Sequence, residues 1–278
     1  MIRWPEWAAG MRGIGIAGVA ILLTVVLAGE PRVTATSSLA PAGWAVLIEL
    51  NSFGPWHPSL PVGYINSTRM LTALVRRGWP ADHVLLMRDN PDRALLQHAT
   101  EWLAARVRPG DTAVLYVAGE YQFLDRDLQW EATLPRLWKR VPTSQRVLIV
   151  EACFAERLTA AVNGIPGFGL PAVGRDEWDW WGLRDTGGLI RGGPFTYFLA
   201  RALEAQPHDI PLDFGAAFAV AVPRAQEHFR AVIATTPGAL DSFHSRGAFP
   251  ERQARFPNPH LLQIMGDPDP SARTTTTP

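Results

Sequence analysis

The chain holds a single cysteine, Cys153, and the residues before it govern what its thiol can do. Val147, Leu148, Ile149 and Val150 form a short apolar run, the pattern of a strand buried on both faces of a parallel sheet. Such a strand delivers Glu151 and Cys153 to its carboxyl end, where open α/β sheets place their ligand sites. A thiol in that position is a candidate nucleophile if a base lies near it, and otherwise a buried small hydrophobe. Glu151, an acid closing an apolar strand, requires solvent or a partner, and Arg191 is either its ion-pair partner or itself solvated. Among the seven histidines only His57 lies in a loop expected at the same edge; His83, His98, His208, His228, His244 and His260 have no motif around them. Asn51 shares that loop.

These residues are positioned by an alternation of apolar strands and amphipathic helices. Trp44 to Leu50 is expected as the first strand, Val84 to Met87 as the second, AVLYVA before Gly119 as the third, and the run into Glu151 as the fourth. A fifth is expected near Phe168 to Val173. Between them, a helix capped by Asn66 or Ser67 runs to Gly78, and another starts at Asn90-Pro91 and ends before Pro109-Gly110. A shorter helix around Leu134 to Arg140 and one just after Cys153 follow, then one from Pro194, and one over Asp213 to His228 interrupted at Pro223. The result is an α/β domain with a mostly parallel sheet covered on both faces.

With 278 residues, 47% of them hydrophobic, the chain can bury one large core. Lys plus Arg equal Asp plus Glu, which argues against nucleic acid as the main partner. One cysteine forbids an intrachain disulfide. No His or Cys pair has ligand spacing, so neither a metal nor a cofactor is expected. No Gly-x-Ser-x-Gly elbow, Walker loop or Gly-x-Gly-x-x-Gly follows any strand, which leaves an α/β hydrolase or a nucleotide-binding protein without support. The cluster Trp178, Trp180 and Trp181 reads as a hydrophobic cover or an aromatic binding rim.

Residues 13–29 carry no charge and only Thr24 as a polar side chain, at the short end of the roughly 17–25 residues of a spanning helix. Arg3 and Arg12 in the preceding arm, residues 1–12, keep that arm cytoplasmic and export the remainder. The expectation is an anchor with the domain on the periplasmic or extracytoplasmic side, with cleavage after Ala28 and secretion as the alternative. Residues 30–43 read as a linker, 44–266 as the domain, and 267–278 as a tail too polar and Pro-rich to fold.

The strand ends Val114 to Gly119 and Glu151-Ala152-Cys153 together resemble those of the caspase, metacaspase and legumain group of cysteine peptidases. In that group one strand ends in a small residue, Gly, His, Gly, and the next in an acid, Ala, Cys. RRGWPADHVLLMRDN resembles legumain's turn into its second strand, and GGPFTYFLARAL resembles a helix of bacterial caspase-like proteins. The resemblance implies a three-layer αβα sandwich with Cys153 as nucleophile and an oxyanion held by the backbone N–H groups of Tyr121 and Cys153. It also implies a substrate pocket drawn from Glu151, Glu120, Asn51 and Arg191, with Asn51 matching an Asn that orients legumain's histidine.

The chain departs from the group at the base. The family histidine falls on Glu120 and the following Gly on Tyr121, while Phe154 and Ala155 replace the Ser-Gly after the cysteine. A carboxyl with a pKa of about 4.3 cannot deprotonate a thiol of about 8.5, and its negative charge raises that thiol further. The sequence therefore predicts a membrane-tethered pseudopeptidase that binds a peptide or protein partner in the cleft at the sheet's carboxyl edge. The alternative is an active cysteine endopeptidase in which His57 serves as a displaced base.

Overall fold

The computed structural model describes residues 41–52, 63–89, 94–121, 124, 128–172, 174–175, 179 and 190–231, with the backbone of 232–235 and 263–265. The arm, the anchor segment 13–29, most of the linker and the tail lie outside the described residues, as do Asn90-Pro91, His57 and the three clustered tryptophans. No described helix is long and apolar enough to cross a membrane.

The expected strands form as β1 (Gly43–Glu49), β2 (Val84–Arg88), β3 (Thr112–Ala118), β4 (Gln145–Glu151) and β5 (Gly167–Pro171). Their order is β2-β1-β3-β4-β5, all parallel, and a sixth strand, β6 (Gln263–Met265), adds antiparallel to β5. The β6 strand was not expected, because its three residues carry no strand periodicity. β1, β3 and β4 are the most buried strands, with Leu47, Ile48, Leu115, Tyr116, Leu148 and Ile149 fully enclosed. This is the consequence of covering both faces of a parallel sheet.

One helical layer consists of α1 (Ile65–Arg76), α5 (Pro194–Glu204) and α6 (Phe214–Thr235), in mutual contact. The other consists of α2 (Leu95–Ala104), α3 (Trp130–Trp138) and α4 (Ala155–Ala161). The chain steps from β1 to β2 and then back past β1 to β3, and right-handed crossovers place the helices before and after such a reversal on opposite faces. The described residues thus make an αβα sandwich.

Three expectations need correction. Neither Asn66 nor Ser67 caps α1: the N-cap is Tyr64, whose own side chain makes no cap hydrogen bond, and both residues lie buried in the first turn. α2 stops at Ala104 rather than running to Pro109. Pro223 does not interrupt α6, because it sits on the exposed side, where the carbonyl of exposed Ala219, deprived of its N–H donor, is left to solvent.

Candidate functional site

The register sets the site. Glu49, Ala118 and Glu151 are direct neighbours at the carboxyl ends of β1, β3 and β4. The chain beyond each strand end therefore opens onto one edge: Leu50-Asn51, Gly119-Glu120-Tyr121 and Ala152-Cys153-Phe154. At Gly119 the backbones beyond β1 and β3 are still close, and a Cβ there would press to 3.3 Å from the Leu50 carbonyl oxygen.

Cys153 is half-buried, and its thiol donates to the Asp179 carbonyl oxygen at 3.8 Å. Enclosure of the sulfur pushes the thiol well above its usual range, and the carboxylates of Glu120 and Asp179 push it further. Glu120 is half-buried, with its carbonyl accepting the Leu124 N–H at 3.1 Å. The described histidines lie elsewhere. His83 stacks on Trp44 with ring centroids 3.6 Å apart, its Nδ1 3.0 Å from the Gly43 carbonyl at the amino end of β1. His98 lies on α2, His208 is exposed between α5 and α6, and His228 packs on Phe198 and Phe229.

Tyr121 and Phe154 meet each other. Phe154 takes a left-handed backbone, φ 56°, at the start of α4, and its ring stands edge-to-face with that of Tyr121, centroids 5.6 Å apart. Arg157 lies over both, 5.1 Å from the Phe154 centroid and 5.8 Å from that of Tyr121. An aromatic pair topped by a guanidinium therefore forms from the segments that follow β3 and β4.

Glu151 is fully buried and turned towards α5. Its Oε1 accepts the Thr196 N–H at 3.2 Å and its Oε2 accepts the Tyr116 O–H at 3.4 Å; Tyr116 and Thr196 hydroxyls lie 2.8 Å apart. The carboxyl thus sits beneath the first turn of a helix, where unpaired N–H groups favour an anion. Burial nevertheless raises it to about 8, with Asp179 adding to the rise and Arg69 opposing it. Its close approach requires Gly193, since a Cβ at that position would fall 1.9 Å from Oε1. Gly192, at φ 85°, meets Asn66 and Ile65 in the same way, and the Gly193 N–H donates to Asn66 Oδ1 at 2.9 Å.

Arg191 does not pair with Glu151. Its side chain is exposed and its carbonyl accepts from Arg69 Nη1 at 2.6 Å. Asn51 is buried and fastens its loop: its N–H and that of Ser52 donate to Asp89 Oδ1 at 2.7 and 2.8 Å, and its Nδ2 donates to the Gly63 carbonyl at 2.8 Å. Tyr64 donates its hydroxyl to the other Asp89 oxygen.

Sequence reasoning missed Glu49. Its carboxyl is fully buried and accepts the N–H groups of Asn66 at 3.3 Å and Ser67 at 2.8 Å, giving α1 the cap that its own side chains do not supply. Burial raises it above the ordinary carboxylate range. The signal was present, since Glu49 ends WAVLIEL as Glu151 ends its own apolar run. Among the described residues no group of three or more His, Cys, Asp or Glu is placed to hold a metal ion.

No protein-family profile matches the chain, and no curated protein sequence does. Among solved structures it is similar to caspase-1 from Spodoptera frugiperda, with 11% identity and a TM-score of 0.47, over 81% of this chain and 87% of that one.

Proposed function

We propose that the domain is a caspase- and legumain-like cysteine-peptidase relative whose centre is catalytically impaired and whose cleft binds a peptide or protein segment. The observation that carries this reading is the placement of Cys153 and Glu120 together at the carboxyl edge, an acid standing where the family pattern calls for the base. A buried thiol between two carboxylates stays protonated at neutral pH and donates a hydrogen bond instead of attacking a carbonyl. The Tyr121 and Phe154 rings support the same reading: they fill, with each other, the positions where the family keeps glycine and serine. On this reading the peptide cleft at this edge has aromatic and acidic walls, with the half-buried Glu120 among the acids. On this reading residues 13–29 tether the domain to a membrane, on its extracytoplasmic side.

Iodoacetamide labelling of the full chain tests the proposal. Slow reaction at pH 6, with a rate midpoint above about 8.5, is the expected result. Rapid labelling at pH 6 would overturn it in favour of an active peptidase served by a displaced base such as His57.

A further inference from the structure

The outer surface where α1 meets α5 carries a second feature unrelated to the thiol. A groove of about 230 Å³ runs between the two helices and is lined by Arg69, Arg76 and Arg201, with Tyr197 in its wall and Glu204 the only acid among the described residues that line it. α1 contains no acidic residue at all. Glu204 is committed to Arg76, at 3.2 Å. Arg69 and Arg201 both crowd the Tyr197 ring, their guanidinium carbons 5.0 and 5.7 Å from its centroid, and Arg201 also donates to the Tyr197 hydroxyl at 3.3 Å.

An aromatic face attracts one cation, but two on one ring repel each other. Each guanidinium carries five donors, and a single bond to a carbonyl or hydroxyl leaves most of them for solvent or a ligand. The chain's formal charge is zero, so this excess of positive charge is local and not part of a generally basic surface.

We propose that this groove docks an extended acidic peptide segment of a partner protein. Arginine forks match carboxylates bidentately, which gives geometry as well as charge. Spacing selects the peptide over a small anion. Arg69 and Arg76 lie two turns apart on α1, about 10 Å along the axis, too far for one phosphate to bridge. An extended chain in the polyproline II form, with three residues per turn and a rise of about 3.1 Å each, presents acids three residues apart on one face at close to that separation. The occupant is thus an acid-x-x-acid segment in polyproline II conformation. This docking surface is independent of the chemistry at Cys153.

The test is a fluorescence-anisotropy titration of the full chain with two fluorescein-labelled peptides, one carrying Glu at every third position of a Ser/Gly background and one carrying Gln there. The Glu peptide is expected to bind at least tenfold more tightly, and more weakly as salt rises. The exposed double variant R76E/R201E should lose that affinity at least tenfold while keeping a cooperative melting transition and the wild-type iodoacetamide rate, and Arg69→Gln alone should weaken it in the same direction. Equal binding of the two peptides, an R76E/R201E chain that binds as well as wild type, displacement by millimolar inorganic phosphate, or tighter binding of oligothymidine would each overturn the proposal.

Discussion

A cysteine at the end of a buried parallel strand becomes a nucleophile only where a neighbour takes its proton or holds positive charge against its sulfur. Cys153 is enclosed and has the Glu120 and Asp179 carboxylates nearby, so both its burial and its charged neighbours favour the thiol. Since burial is the first cause of the rise and Glu120 the second, Glu120→Gln should lower the pH midpoint of iodoacetamide labelling without bringing it to the ordinary value of a free thiol. An unchanged midpoint would remove Glu120 from the sulfur's electrostatic surroundings. The Tyr121–Phe154 pair makes a second residue-scale prediction. A double-mutant cycle of Tyr121→Ala and Phe154→Ala in chemical denaturation should give a coupling of roughly 0.5–1.5 kcal/mol, the worth of an edge-to-face pair beyond its buried area. Additive losses would mean that the two rings contribute to stability separately.

The elements depend on the same acids in another way. Glu49 and Glu151 each leave a strand of the sheet and end beneath the first turn of a helix on one face, α1 for the first and α5 for the second. Gly193 is the tightest point of this arrangement. Gly193→Ala places a methyl within the Glu151 carboxyl and should destabilise the domain by roughly 1–3 kcal/mol, read as a lower denaturation midpoint with an unchanged slope. Five of the six strands were legible because a parallel sheet covered on both faces writes itself as uninterrupted apolar runs. The start of α5 was legible too, since Pro194 at its first turn follows paired glycines. What stayed hidden was every feature that depends on distant partners. Asn66 and Ser67 have the composition of helix caps, yet the cap comes from Glu49 on another element. Arg191 lies close to Glu151's helix in sequence, yet the cation that acts on the acid is Arg69, on α1. Asp89 ties down the loop of Asn51 from the end of β2, a pairing that only the sheet order creates.

At the scale of the whole molecule, burying two carboxyls at one edge makes stability depend on pH in a sense opposite to most acid-rich surfaces. Glu151 is held at about 8, against an ordinary value of 4.5 in the unfolded chain, and Glu49 is shifted in the same direction. Below 4.5 both states carry the proton and Glu151 contributes no pH dependence. Between 4.5 and 8 the folded state binds more protons than the unfolded one, so stability falls as pH rises, and above 8 the loss is complete. His228 works the other way, because burial lowers it: it adds stability with rising pH only up to its ordinary value of 6.5. Cys153 enters with the sign of Glu151, but only above its ordinary value of 9. The interval from pH 6.5 to 8 therefore isolates the buried carboxyls from both. Melting temperature should decline across it in the wild-type chain, and Glu151→Gln should flatten the decline, since a carboxamide oxygen still accepts the Thr196 N–H but does not titrate. Differential scanning calorimetry of the two proteins at matched ionic strength measures this directly. Parallel curves over that interval would show that the acid beneath α5 is already ionised in the folded state, with Arg69 and the helix N-terminus together outweighing its burial.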